Sequence, residues 1–432
     1  MERLQSLLGI IAFIGLAYIL SSDRKKVSWV LVYKALLIQL VLAIALIGIP
    51  SLGFEAPLFF IFDGANSFIN SVIMFTDKGT EFLFGSLMDK QKHGVIVAIQ
   101  VLPTIIFFSS LSAVLYHLKI LPIIINAFAK VLKRTLKVSG AETISVVANI
   151  FVGQTEAPLV IKPFLSTMTK SEMFTVMVGG MATVAGGVLI SYVAFLSDSV
   201  PNIAGHLLVA SVLSAPSALM FAKIMFPEVD VPVTAECLPD QVLEVHENII
   251  DAAASGASDG LKLMANVAAM LLAFIALIYM ADSMLIYFGQ LISFGHWGQS
   301  LVDESLKVNG EAQLTFSLLF SWVFLPFSFL LGLKPDELFF SSTLLGKKLV
   351  FNEFIAYLDL SQGAENLSVK SRIIMSYALC GFANFSSIAI QVGGIGALAP
   401  EQRKNLAQLG MKSVIAGSLA TFVTACLAGI LY

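Results

Sequence analysis

The stretch 148–163 reads ANIFVGQTEAPLVIKP and sets Asn149, Gln154, Thr155 and Glu156 inside apolar sequence. Gly153 and Pro158 each weaken a continuous helix there. A carboxylate beside broken backbone in such surroundings is costly unless a ligand or cavity meets it. A second carboxylate, Glu353, stands in the run GKKLVFNEFIAYLDL. Ionised carboxylates only accept hydrogen bonds, so the pair suits a guest rich in hydroxyl or N–H donors. Gln154, Asn384 and Ser387 both donate and accept, which fits a sugar or a nucleobase edge. Phe382 adds a flat apolar face. The competing reading pairs each glutamate with a lysine, Lys162, Lys347 or Lys348, as a structural ion pair.

Another group of residues offers neutral oxygens. Asn149 and Thr183 supply side chains, and unwound backbone near Val152 and Val184 supplies carbonyls. Hard cations take oxygen ligands, and unwound carbonyls serve this purpose in transporters. Sodium fits such a set better than a transition metal, which favours His or Cys. The same residues also suit plain capping of hairpin helices.

These residues must be placed at depth in a membrane. Of 432 residues, 57% are hydrophobic and only 13% charged, and the mean hydropathy is +0.87. Soluble domains carry about 25% charged residues, so the chain reads as an all-α polytopic protein solvated by membrane lipid. A net charge of −3 without a basic patch excludes a nucleic-acid partner. The histidines are scattered, with no HExxH, and Cys237, Cys380 and Cys426 are odd in number and far apart. No disulfide framework, metal motif or organic cofactor site follows, and the cysteines read as packing residues. A hydrolase using the two glutamates as acid and base would need a nucleophile or metal motif that is missing, so an enzyme is not expected. A channel is the remaining rival.

Apolar runs at 4–22, 27–49, 94–116, 206–226, 263–281 and 413–432 predict transmembrane helices, while 173–197 and 373–400 are apolar runs interrupted by glycines and polar residues. The cluster Arg24, Lys25 and Lys26 after the first run places the N-terminus outside. Charges among the Phe and Ile residues of 51–92 suggest a helix lying at the interface. Ile124, Phe128, Leu132 and Leu136, four apart, define the apolar face of another interfacial helix. Residues 228–259, with Glu228, Asp230, Glu236, Asp240, Glu244, Glu247 and Asp251, read as an acidic linker ending in an amphipathic helix. Pro326 leaves the depth of 312–333 open.

Two halves share one plan. Each has a short broken segment with one glutamate, followed by an apolar helix interrupted by small and polar residues. The interruptions are 182–184 and 382–387. Paired interruptions at corresponding places point to a transporter's central site. An odd number of crossings between them makes the repeat inverted. The expected organisation is two peripheral spans at 1–50, and interfacial helices with a scaffold span at 51–140. The first hairpin and following helices occupy 141–226, linker and scaffold span 227–310, and the second hairpin with the last two helices 311–432.

At these residues the chain resembles the concentrative nucleoside transporter family. The resemblance is carried by GQTEAP (153–158), MATVAGGVL (181–189), NEF (352–354), GFANFSS (381–387) and EFLFG (81–85), and it extends over essentially the whole chain. It implies eight transmembrane helices, two re-entrant helical hairpins and interfacial helices, assembled as a homotrimer in a bacterial inner membrane with both termini outside. It implies that Gly153, Gln154, Thr155, Glu156 and Val188 contact the base of a nucleoside, that Glu353, Asn384 and Ser387 hold the ribose, and that Phe382 lines the site. It implies a sodium site from Asn149, Val152, Thr183 and Val184, and import by sodium symport with an elevator-like slide. Relatives often carry Ser at position 183. Proton-coupled members look different around the first hairpin, so Asn149 with TEAP favours sodium.

Overall fold

The computed structural model describes residues 2–94, 96–239, 241, 246–302, 306–307 and 310–432. Asp240 and Glu244 of the acidic linker lie outside them. Where backbone has no water to bond, helices pair every N–H and C=O internally, and the apolar runs fold accordingly. The chain opens with α1 (Glu2–Ile19), α2 (Trp29–Ile47) and α3 (Phe59–Phe84). Short turns α4 (Lys90–His93) and α5 (Val97–Gln100) lead into α6 (Pro103–His117), which starts on a proline whose missing N–H costs nothing there. Then come α7 (Ile120–Leu136), a hairpin of α8 (Gly140–Ala148) and α9 (Lys162–Leu165), and a helix broken into α10 (Lys170–Ala182) and α11 (Gly186–Leu196). The first repeat closes with α12 (Ile203–Met225).

The second repeat begins with α13 (Ile249–Leu291), followed by the short α14 (Phe294–Trp297) and by α15 (Phe316–Leu331), which carries Pro326 inside it. The second hairpin is α16 (Leu338–Val350) with α17 (Glu353–Gln362). The second broken helix is α18 (Val369–Leu379) with α19 (Phe385–Leu398), and α20 (Arg403–Leu431) closes the chain. Apart from the short α14, α6 to α12 and α13 to α20 thus follow one order: two helices, hairpin, broken helix, straight helix.

Contacts fix the direction of each repeat. Arg3 donates to the Tyr432 carbonyl at 3.2 Å, so both termini share one end of the molecule. The second hairpin starts at that end, where Ser6 Oγ donates to the Leu331 carbonyl at 2.8 Å and Lys370 pairs with Glu2 at 3.3 Å. The first hairpin starts at the other end of α1. There Ser22 N–H bonds the Met225 carbonyl at 2.9 Å, and Lys223 pairs with Glu142 at 2.8 Å. The two hairpins therefore enter from opposite ends.

Four expectations change. Most of 51–92 is the 26-residue helix α3, and the stretch Phe59–Met88 is long and apolar enough to cross a membrane. Its charges are spaced widely enough for an apolar window between them. The amphipathic helix and the span expected on either side of position 260 are one continuous helix, α13, of 43 residues. At 1.5 Å per residue it measures about 65 Å, twice the roughly 30 Å hydrocarbon core. On α7 the buried stripe is Leu121, Ile125, Ala129, Leu132 and Leu136, while Ile124 is exposed, because steps of four and three track a helix face better than fours alone. Cys380 and Cys426 pack in the core, but Cys237 is exposed.

Small residues let α13 lie against α6. A Cβ at Gly256 would stand 2.6 Å from the Ser109 carbonyl oxygen, and one at Gly260 2.8 Å from the Ile106 Cα. This small-xxx-small spacing brings two helix backbones together. The pair forms one wall of the cavity described next.

Candidate functional site

The two broken helices cross at their breaks. Helix α10 ends at Thr183, whose backbone is extended (φ −120°, ψ 171°). The Phe382 N–H, in the break between α18 and α19, donates to the Thr183 carbonyl at 3.2 Å. The Gly186 N–H donates to the Phe151 carbonyl at 3.3 Å, so the turn of the first hairpin joins the same crossing.

Around this crossing lies a cavity of about 890 Å³. Val152, Gly153, Gln154, Thr155 and Glu156 line it from the first hairpin, Val188 from α11, Glu353 from α17, and Phe382, Asn384 and Ser387 from the second break and α19. The opposite wall includes Phe108, Ser112 and Tyr116 of α6 and Asp259, Lys262 and Asn266 of α13. Asn149, Thr183 and Val184 are buried and do not line the cavity.

The two glutamates differ in setting. Glu353 is buried, and its carboxylate accepts from Tyr192 OH at 2.7 Å and from Asn384 Nδ2 at 3.0 Å. Glu156 is exposed to the cavity. Two of the lysines that might have locked them are engaged elsewhere: Lys347 pairs with Asp359 at 2.5 Å, and Lys348 donates to the Ala378 carbonyl at 2.8 Å and to Thr421 Oγ1 at 3.0 Å.

Helix ends sort the remaining groups. Glu353 opens α17, and Asn384 caps α19 by accepting from Ser387 N–H at 2.8 Å. Both stand at helix N-termini, where N–H groups are unpaired by the helix and the dipole is positive. Asn149 and Thr183 are instead the C-caps of α8 and α10, where carbonyls and the negative dipole end collect. Their own hydrogens turn inward: Asn149 Nδ2 donates to the Ser145 carbonyl at 3.0 Å, and Thr183 Oγ1 to the Gly179 carbonyl at 2.9 Å. What they offer outward is oxygen.

Two polar residues at the site were not singled out from sequence. Tyr192 donates to Glu353, and Gln391 donates to Gln154 Oε1 at 3.0 Å. Each lies four residues beyond a candidate, Val188 and Ser387 respectively, so the next turn of the same helix face would have found them. The α6 and α13 wall residues carry no such signal.

A cavity between two inverted repeats, closed by two hairpins and two broken helices in a membrane-type chain, defines a multi-pass transport protein. Residues 8–87 and 206–429 match the family models described as Na+ dependent nucleoside transporter N-terminus and C-terminus, and 98–199 match the model described as nucleoside recognition. The chain belongs to the concentrative nucleoside transporter family; it is a nucleoside transporter and not an enzyme. It is 40% identical to an uncharacterized transporter of Haemophilus influenzae, over all of this chain and 98% of that one. It is 36% identical to sodium/nucleoside cotransporter 1 of Mus musculus and 35% identical to solute carrier family 28 member 3 of Homo sapiens. Both matches cover all of this chain, which spans 64% and 60% of those longer proteins. Its fold matches CNTnw in an inward-facing substrate-bound state with a TM-score of 0.86 at 38% identity, over 100% of this chain and 98% of that one. A doubly substituted CNTnw in an outward-facing state matches with a TM-score of 0.87 at 37% identity, over the same shares.

Proposed function

We propose that this protein imports nucleosides by symport with sodium, through alternating access of the elevator type. The observation that carries this reading is that Glu156 and Glu353, from hairpins based at opposite ends of α1, face one cavity. Gly153, Gln154, Thr155, Glu156 and Val188 contact the base. Glu353, Asn384 and Ser387 hold the ribose hydroxyls, and Phe382 covers a face of the guest. Acceptor carboxylates beside amide and hydroxyl groups match a neutral molecule with many donors.

Sodium is the co-substrate. Asn149 and Thr183 with the Val152 and Val184 carbonyls form its site, supported by their neutral oxygens and by the two helix C-termini that end there. Sodium bound at this point orders the first hairpin and so improves the nucleoside site. Moving one charge through 100 mV yields about 2.3 kcal/mol, roughly fifty-fold in concentration at about 1.4 kcal/mol per tenfold. The hairpins with their broken helices slide against a scaffold that includes α6 and α13. The protein works as a homotrimer in a bacterial inner membrane. Both termini lie outside, since the basic residues after α1 and at the end of α7 sit at the opposite end of the molecule, where Lys34 donates to the Thr135 carbonyl at 3.2 Å.

Uridine uptake into proteoliposomes with and without a sodium gradient tests this. Sodium-driven, saturable uptake of chemically intact uridine is expected. Uptake driven by protons and indifferent to sodium overturns the coupling. Altered uridine points to a hydrolase, and ion currents without saturable uridine dependence to a channel.

A further inference from the structure

Behind Gln154 lies a second amide that does not line the cavity. Gln391 is fully buried on α19. Its Nε2 donates to Gln154 Oε1 at 3.0 Å and to the Met177 carbonyl at 3.1 Å. Gln154 Nε2 in turn donates to Ser387 Oγ at 3.1 Å. A backbone carbonyl can only accept, so turning the Gln391 amide over would set oxygen against oxygen at Met177. The Gln391 NH2 is therefore fixed, and it demands an oxygen from Gln154. The Ser387 hydroxyl donates or accepts with equal ease and cannot decide the matter. To keep both donor contacts, Gln391 Oε1 is left buried without a hydrogen-bond partner among the described residues. Space for the pair comes from Gly180, where a Cβ would stand 2.5 Å from Gln391 Nε2 and 2.9 Å from Gln154 Cβ.

We propose that Gln391 is a positioning residue that sets the polarity of base recognition. Through the chain Met177–Gln391–Gln154, the Gln154 carbonyl is turned toward Gln391 behind the cavity, and its N–H group is the one presented to the guest. The edge of the base that meets Gln154 must then carry an acceptor, such as a ring carbonyl. The inference rests on Gln154 touching the base.

Gln391→Glu tests it. A protonated carboxyl has one hydrogen; given to Met177, it leaves an oxygen facing Gln154, and the Gln154 amide turns over. Gln391→Met frees the amide to take either orientation. The readout is the ratio of uridine to adenosine uptake efficiency, because the uracil carbonyls can only accept, whereas adenine can also turn its exocyclic amino donor toward a Gln154 that presents its oxygen. The ratio is expected to fall roughly tenfold in Gln391→Glu, the size of one net hydrogen bond, and by a smaller factor in Gln391→Met. A purely structural role would lower both nucleosides in proportion. Where a variant loses transport, equilibrium competition between the two nucleosides on the purified protein supplies the same ratio. A ratio within twofold of the parent protein in both variants overturns the proposal. A Gln154→Ala variant with an unchanged ratio instead removes the base contact itself, a separate failure.

Discussion

Asn384 donates through Nδ2 to Glu353 Oε2 at 3.0 Å, and its amide has no freedom to do otherwise. Its carbonyl oxygen is held by the Ser387 N–H at 2.8 Å and by Ser386 Oγ at 2.7 Å. The residue that caps α19 thus hands a donor to the second hairpin, joining helix start and site in one side chain. Glu353→Gln fits this setting: its oxygen faces Asn384, and its NH2 faces a tyrosine hydroxyl that can reverse roles. Folding is expected to persist while nucleoside affinity falls about 10- to 100-fold, since a bond to a charged acceptor is worth about 1.5–3 kcal/mol. Competition binding measures it, and parent-like affinity would remove Glu353 from the site.

Truncating the two glutamates separates their settings. Glu353→Ala leaves the Tyr192 hydroxyl and the Asn384 amide buried without their acceptor, at a cost of about 1–3 kcal/mol. Glu156 is exposed to the cavity, so Glu156→Ala is expected to cost less stability than Glu353→Ala. Both variants lose uptake. Thermal unfolding in detergent distinguishes them; equal shifts in Tm would contradict the asymmetry.

Much of this was legible in the chain because lipid-solvated helices leave a strong signal. The hairpins declared themselves through carboxylates beside Gly153 and before Phe354, charges that apolar sequence does not carry idly. The break near Thr183 showed in its small residues, and the one near Asn384 in CGFANFSS. Length was less legible: Asp259 and Lys262 mark where the apolar run begins but not that the helix continues through them, so one helix read as two pieces. The scaffold wall was not legible at all. Phe108, Tyr116 and Asn266 reach the cavity only because Gly256 and Gly260 bring α13 against α6, a long-range packing that no local pattern encodes. Gln391 was missed for a different reason, since a lone glutamine on an apolar helix carries no charge to flag it.

The oxygens at the ends of α8 and α10 make a prediction about sodium alone. Thr183→Val keeps the shape of the side chain and deletes its oxygen. Asn149→Leu deletes the other side-chain oxygen. The sodium concentration for half-maximal uridine uptake is expected to rise about tenfold in Thr183→Val, one lost ligand contact of roughly 1.4 kcal/mol. It should rise at least as far in Asn149→Leu. Uptake at saturating sodium recovers in Thr183→Val because Thr183 does not line the cavity. An unchanged sodium curve in both variants would exclude this position as the ion site.

The base of the first hairpin is anchored by a buried charge cluster with an unequal count. Lys223 Nζ lies 2.8 Å from Glu142 and 3.3 Å from Glu228, and it donates to Ser171 Oγ at 2.9 Å. Ser139 Oγ donates to Glu172 at 2.5 Å, and Thr169 Oγ1 to Glu228 at 2.9 Å. Glu142 and Glu172 also complete the capping boxes that start α8 and α10. One ammonium therefore ties the starts of two helices to the end of α12, and three carboxylates depend on it. Removing one partner of a buried pair costs about 3–5 kcal/mol, because the remaining charge is stranded. Lys223→Met is expected to lower stability by that amount, read as a fall in Tm. Adding Glu142→Gln to it removes a stranded charge while keeping an oxygen for the Ser139 N–H, which Glu142 now accepts at 2.8 Å. The double variant should therefore be more stable than Lys223→Met alone. If the second substitution makes matters worse, the cluster is held by its hydrogen bonds rather than by the ammonium, and the hairpin base is a capping network first and an ion pair second.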